Sequence, residues 1–374
     1  LAKGLKKRLV VSAVNFTEGG PLTALRDCLS AANSSLSDDW EIIALVHDRR
    51  LFDIPPVKFI EFPRSKFSWS SRLYHEFWQF HALSLELKPE VWLSLHDISP
   101  RVKAARQVVY CHNPAPFYQP RLLDLWWEPR FLLFTLFYRY LYRFNIHAND
   151  LVVVQQDWIR QEFKRMFNVK NVLVAHPVLA NQTLRKPNNF RKKPGVFLYP
   201  ALPRVFKNFE VLCEAARVLW QRLGDVFEVR LTLLGDESKY AAYIKSHYAD
   251  LPVIKFIGRQ TAEQMVRHYQ EADAVVFPSR LETWGLPISE AEEFGKPIMV
   301  ADLPYAHESV GDYEQAVFFN PLDFQQLAAI MQAYLQGELK FKSHFQSPVS
   351  SPFAPNWEAL IGRVVGETEQ ENVL

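Results

Sequence analysis

Two glutamates eight positions apart, Glu282 and Glu290, flank a Gly-Leu-Pro turn in the stretch SRLETWGLPISEAEEFGKP (residues 279–297). Pro287 suits the first turn of a helix, and Gly295 suits the position just past its end. The N-terminus of such a helix presents unpaired amide N–H groups and a partial positive charge, a ready seat for phosphate. On this reading Glu290 falls in the first helical turn and Glu282 in the loop before it. One carboxylate then reaches a polar group beside the phosphate and the other reaches past it. Complementing the helix dipole accounts for Glu290 and Glu292, but not for Glu282 or the Gly285-Leu286-Pro287 turn.

Three further groupings could join this chemistry. In YPALPRVFKNF, Lys207 and Asn208 stand between a strand and a helix, with Arg204 three residues earlier. Cations there stabilise negative charge where it develops. In NFTEGGPLTAL, Gly19 and Gly20 permit close backbone approach to a bound group. The turns SLHDISP and VVYCHNPAPFY supply His96, Asp97, His112 and Asn113, and VVVQQDW supplies Gln155 and Gln156. A His-Asp-His set could suggest a metal, but three ligands do not converge by sequence alone.

The elements that must position these residues alternate strand and helix. KRLVVSAVNF, WEIIALVHD, VKFIEFP, VWLSLHDIS, RQVVYCHN and DLVVVQQD are apolar runs, and PLTALRDCLSAAN is a helix with Pro21 in its first turn. Runs of this kind separated by helices indicate a parallel sheet covered on both faces. Residues 176–195 are rich in Pro, Asn, Lys and Arg without periodicity, which suits a linker. The pattern then restarts with GVFLYPA, NFEVLCEAARVLWQRL, FEVRLTLLGD, VIKFIGR, TAEQMVRHYQEA, DAVVFPS and KPIMVAD. The expected domains are residues 1–180, residues 181–345 and a tail at 346–374 that packs back on the first domain. Ligands of open parallel sheets sit beyond the carboxyl ends of the strands, where all these loops lie.

A chain of 374 residues exceeds one hydrophobic core. Its net charge of +2 does not suggest a nucleic-acid binder. Three scattered cysteines, Cys28, Cys111 and Cys213, suit a reduced, cytoplasmic compartment. The basic N-terminal residues precede an apolar run too short for a secretion signal, and a first strand is expected there. No run reaches the roughly 18 apolar residues that span a bilayer.

Residues 279–302 resemble the signature of family 4 of the retaining glycosyltransferases: Ser-x-x-Glu, an aromatic, Gly-Leu-Pro, a second Glu eight positions after the first, then Gly-x-Pro. The resemblance covers the second domain and, more thinly, the first. It implies an α/β chain of GT-B type, two Rossmann-like domains facing across a cleft. By this resemblance Glu290 binds the ribose of a nucleotide-sugar and Glu282 the hydroxyls of its sugar. The Gly285 and Leu286 amides then meet the pyrophosphate, Lys207 and Arg204 its charge, and Asn208 lies beside them. Gly19 and Gly20 lie opposite the donor phosphates, and loop backbone at Gly258 and Arg259 reads the base. His112 is the histidine expected near the donor sugar, with Asn113, His96 and Asp97 on the acceptor side. Two departures stand out: Thr283 replaces the usual glycine, and Leu202 replaces an arginine five positions before Lys207.

The implied activity is retaining transfer from a nucleotide-sugar, GDP-mannose or a related donor, to a glycan or lipid-linked glycan acceptor of surface polysaccharide or lipopolysaccharide. The resemblance implies that no metal or other cofactor is required. A nucleotide-sugar 2-epimerase and a non-catalytic glycan-binding subunit remain open as alternatives. Residues 122–144 are strongly aromatic and carry Arg130, Arg139 and Arg143, which suits either a core helix or a peripheral contact with the cytoplasmic face of the inner membrane.

Overall fold

The computed structural model describes residues 6–177, 195–342 and 347–366. Most of the expected linker, the boundary near 180 and the end of the tail lie outside the described residues. The chain divides into two compact units: residues 1–116, 136–178 and 349–374, and residues 117–135 and 179–348. Residues 117–135 thus group with the second unit, which a single linear boundary near 180 does not capture.

Unit 1 contains strands β1 (Lys7–Ser12), β2 (Trp40–Val46), β3 (Lys58–Glu61), β4 (Val91–Ser94), β5 (Arg106–Cys111), β6 (Leu151–Val154) and β7 (Val172–Ala175). Unit 2 contains β8 (Gly195–Tyr199), β9 (Phe227–Leu231), β10 (Ile254–Phe256), β11 (Ala274–Phe277), β12 (Ile298–Ala301) and β13 (Ala316–Phe319). A last short strand, β14 (Phe353–Ala354), returns to unit 1. The sheet orders are β14-β7-β6-β5-β4-β1-β2-β3 and β10-β9-β8-β11-β12-β13. Every pairing is parallel, as expected of Val- and Ile-rich strands buried on both faces.

The order reverses between β1 and β4 in unit 1 and between β8 and β11 in unit 2. Loops leaving neighbouring strands toward opposite faces open a crevice at such a switch point. The loops after β1 and β4 carry residues 15–20 and His96-Asp97. Those after β8 and β11 carry residues 200–208 and 278–285. In unit 1, β14 pairs with β7, and Trp357, Leu360, Ile361 and Val364 of the helix Trp357–Val365 join the core around Leu25, Cys28 and Leu29.

The aromatic segment 122–144 is two helices, Leu122–Trp127 and Pro129–Arg143, rather than one. Pro129 lacks an N–H for a continuing helix, and Glu128 before it takes a non-helical conformation. A helical region absent from the sequence reading, residues 69–87, includes a π-helical turn at His75–Gln79.

Candidate functional site

Unit 2 brings together the loops that the sequence singles out. After β8 the chain makes a short helical turn, Val205–Lys207, and Asn208 adopts a left-handed conformation (φ 60°) before the helix Phe209–Leu223. The β11 loop is tied to this turn: the Arg280 N–H donates to the Phe206 carbonyl at 2.7 Å, and the Ser279 hydroxyl to the same oxygen at 3.4 Å. The bracing places the Lys207 ammonium against the Glu282 carboxylate, both largely buried. Lys207 Nζ also lies 5.5 Å and 5.6 Å from the ring centres of Phe206 and Phe277. Low-dielectric walls around a cation sharpen its field toward an arriving anion.

Gly285 begins the helix Leu286–Glu293 in a left-handed conformation, φ 80°. A side chain there would bring its Cβ to 3.2 Å from both Ile288 and Phe277, so the turn requires glycine. Leu286 is the first helical residue and is 41% exposed, at the amide end of the helix dipole. Thr283 is partly buried and Trp284 anchors the turn, its indole N–H donating to Ser289 Oγ at 2.9 Å.

The sequence expectation for Glu290 needs correction, because the helix starts at Leu286 and its first turn contains no acidic residue. Glu290 sits one turn further on and accepts a 2.6 Å hydrogen bond from the Tyr269 hydroxyl. The two signature carboxylates therefore have different partners. Glu290 lines a pocket of about 590 Å³ with Gln260, Arg267, Tyr269 and Glu293. Gly258 (φ 71°) follows β10, and Arg259 beside it is exposed. Burial, then the charge of Glu293, pushes the Glu292 carboxyl up to about 8.

Two donor-binding expectations meet competing partners. Asn208 is fully buried; its amide donates to the Pro278 and Pro321 carbonyls at 3.1 and 2.7 Å, so its side chain braces the loops. Arg204 pairs with Glu128 at 3.0 Å and stacks over Phe131, 5.0 Å away, instead of joining Lys207. Nearby, Arg280 forms a buried pair with Asp124 at 3.0 and 3.1 Å and also donates to Tyr118 Oη. Sequence reasoning missed this latch and Tyr269, since no spacing rule links Arg280 to a residue 156 positions earlier.

In unit 1 the loops after β1, β4 and β5 line a pocket of about 400 Å³ that includes Thr17, Glu18, Lys66, Asp97, His112 and Asn113. Gly19 (φ 64°) opens the helix Gly19–Ser35, and a Cβ on Gly20 would meet nothing within 4 Å, so packing does not demand that glycine. His112 is partly exposed, with Nδ1 3.5 Å from Asp97 Oδ1 and its ring edge-on to Phe16. Asn113 Oδ1 accepts from the Ala115 N–H at 3.0 Å.

His96, expected on the acceptor side, is fully buried. It lies 3.0 Å from Glu76 and accepts a 2.7 Å bond at its carbonyl from Arg72. Burial and Arg72 hold its imidazole well below its ordinary pKa, while burial pushes Glu76 up to about 8. Asp97 is also buried; its Oδ1 accepts from the His112 and Asn113 N–H groups and from Tyr142 Oη at 2.8, 3.1 and 2.9 Å. Asp97 thus positions the His112 turn. Gln156 is buried against Trp158, and Gln155 donates to Tyr110 Oη. Among the described residues no group of His, Cys, Asp or Glu side chains is placed to hold a metal.

Residues 180–347 match the family model for glycosyl transferases group 1. The chain is 31% identical over 131 residues to D-inositol 3-phosphate glycosyltransferase of Pseudarthrobacter chlorophenolicus; this spans 33% of the chain but only 29% of that enzyme's length. It is 22% identical over 272 residues to the O-antigen chain mannosyltransferase RfbU of Salmonella typhimurium, covering 69% of the chain and 70% of RfbU. Among solved structures, WaaG, a glycosyltransferase involved in lipopolysaccharide biosynthesis, aligns with a TM-score of 0.64 at 14% identity, over 96% of this chain and 94% of WaaG. The fold is the GT-B architecture of two α/β units with separate sheets. The similarity to the group 1 glycosyltransferases lies in residues 180–347, and the likeness to solved structures shows the fold.

Proposed function

We propose that the protein is a retaining glycosyltransferase using a nucleotide-diphosphate sugar, with GDP-mannose or a related donor favoured by the likeness to RfbU. The observation that carries the reading is the Lys207–Glu282 pair at the β8/β11 switch point, directly ahead of the helix begun by Gly285. In this reading the donor pyrophosphate takes the Lys207 ammonium and the Leu286 end of the helix. Glu282, displaced from Lys207 by that phosphate, accepts hydroxyls of the sugar. Glu290, oriented by Tyr269, accepts the ribose hydroxyls. The departing phosphate gains negative charge as the glycosidic bond breaks, and a fixed ammonium stabilises it without reorganising solvent.

Among the described residues of unit 2 no side chain stands out as a covalent nucleophile. The acceptor hydroxyl then attacks the same face that the phosphate leaves, and a phosphate oxygen removes its proton. Unit 1 receives the acceptor, a glycan or lipid-linked glycan of surface polysaccharide or lipopolysaccharide, in the pocket at His112 and Asn113. Contact with a membrane through the 122–144 region belongs to the same reading. The test is transfer from a radiolabelled sugar nucleotide, after thermal-shift screening against UDP, GDP and dTDP identifies the base. Lys207→Ala and Glu290→Ala should each nearly abolish transfer while circular dichroism stays unchanged. Near-normal transfer by either variant sinks the site assignment.

A further inference from the structure

In unit 2 a line of hydrogen bonds runs from β9 across the helix Ala262–Glu271 to the turn after β10. Arg230 of β9 donates from Nη1 to His268 Nδ1 at 3.1 Å. His268 Nε2 lies 3.3 Å from Gln260 Oε1, and Gln260 Nε2 donates to the Ile257 and Gly258 carbonyls at 2.5 and 3.2 Å. The chemistry of each group gives every link a direction. A guanidinium can only donate, so Nδ1 accepts and the imidazole is neutral with its proton on Nε2. Carbonyls can only accept, so the Gln260 amide nitrogen faces them and its oxygen faces His268. Burial, and then the charge of Arg230, holds the His268 imidazole below its ordinary pKa, in accord with the neutral form. Arg230 is anchored in turn by Glu228 on its own strand and Glu271 on the helix, both at 2.6 Å.

The turn that receives these bonds has few groups left over. The Ile257 and Gly258 N–H groups donate to the Leu231 and Leu233 carbonyls at 2.9 and 3.3 Å. With both carbonyls taken by Gln260, the next peptide groups in line are those of Arg259. The N–H and carbonyl of Arg259 make no hydrogen bond among the described residues. Gln260 lines the pocket of about 590 Å³ together with Tyr269 and Glu290, but both of its N–H groups are used within the turn. A free N–H beside a free carbonyl matches the mixed donor and acceptor edge of a nucleobase. The residue after His268 is Tyr269, whose hydroxyl holds Glu290 at 2.6 Å. Two consecutive residues of one helix thus brace the β10 turn and the Glu290 carboxylate.

We propose that His268 is a positioning residue for nucleobase recognition: it carries the Arg230 anchor through Gln260 to the turn at 257–260, and so holds the Arg259 peptide against the base. The inference deepens the glycosyltransferase reading and rests on it for the presence of a nucleotide at unit 2. Its test is calorimetric titration of the full chain with UDP, GDP and dTDP, in the parent and in two variants. His268→Leu removes both links of the imidazole. His268→Gln keeps them, because its amide oxygen accepts from Arg230 while its nitrogen donates to Gln260.

His268→Leu should weaken the preferred nucleotide about three- to tenfold, the range for one net hydrogen bond, and shrink its preference over the other two by a similar factor. His268→Gln should recover most of both. Melting of the nucleotide-free protein should be nearly the same in all three. An unchanged preference in His268→Leu overturns the inference, and so does an equal loss in His268→Gln. A lowered melting temperature with the preference intact also overturns it, since the imidazole then serves stability alone. A parent that binds none of the three nucleotides overturns the inference together with the donor-binding reading. Binding by the parent with the same preference in His268→Leu overturns the inference and leaves that reading standing.

Discussion

At the scale of single residues, the Lys207 ammonium carries the largest expected effect. It is fixed by a carboxylate and two aromatic rings, while Arg204, over the same Phe206 ring, pairs with Glu128. Lys207→Met should lower kcat roughly 100- to 1,000-fold, the range for removing one group that stabilises developing charge. Gly285 tests the loop rather than the chemistry. Forcing a Cβ into its left-handed conformation costs about 1–2 kcal/mol before the 3.2 Å contacts with Ile288 and Phe277 are counted. Gly285→Ala should therefore lower the denaturation midpoint and weaken nucleotide binding together, as urea titration and calorimetry would read. Residue type and position suggested a phosphate-facing role for Lys207, and the family resemblance implied one for Glu282. Their mutual pairing was not legible, because 75 positions separate them and only the sheet order makes their loops neighbours.

At the scale of elements, two buried polar clusters hold the loops. The Arg280–Asp124 pair joins the β11 loop to the helix Leu122–Trp127, and removing one partner leaves the other charge buried and unpaired. Asp124→Ala should destabilise unit 2 by about 3–5 kcal/mol, measurable in urea denaturation, and weaken donor binding by loosening the Glu282 loop. In unit 1, Glu76 faces Arg72 from its own helical segment and His96 from the β4 loop. Its carboxyl is raised from 4.5 to about 8, so folding favours the protonated form. That contribution is complete below pH 4.5 and is lost as pH rises through 8. His96, held below its ordinary pKa, has the opposite sign and acts at lower pH. From about pH 7 to about pH 8 the wild-type melting temperature should fall, and Glu76→Gln should reduce that fall to the part Glu292 contributes, in a pH series of thermal melts. Periodicity showed most strands and some helices, but not Asp157–Phe167, Lys239–Tyr248, Phe324–Gln336 or Trp357–Val365. It did not show these clusters, whose members lie on elements that meet only after the sheets form.

At the scale of the whole molecule, saturation with the correct nucleotide, about 100 times its dissociation constant, should stabilise the folded state by roughly 2.7 kcal/mol. Thermal shift against a panel of nucleotides reads this directly, and no shift with any of them would remove unit 2 as a donor-binding unit. Parallel α/β units and the signature helix were legible in the chain itself. Apolar runs of strand length, Pro287 and Gly295 report local backbone preferences that need no partner. The grouping of residues 117–135 with unit 2 and the return of β14 to β7 were decided by tertiary structure, because both join segments far apart in sequence. The same holds for the burial of His96 and Asp97 beneath His112. Residue type marked all three as polar groups at strand ends, but solvent access depends on what packs over them. Local propensity determined which elements form; long-range packing decided which polar side chains the pockets expose.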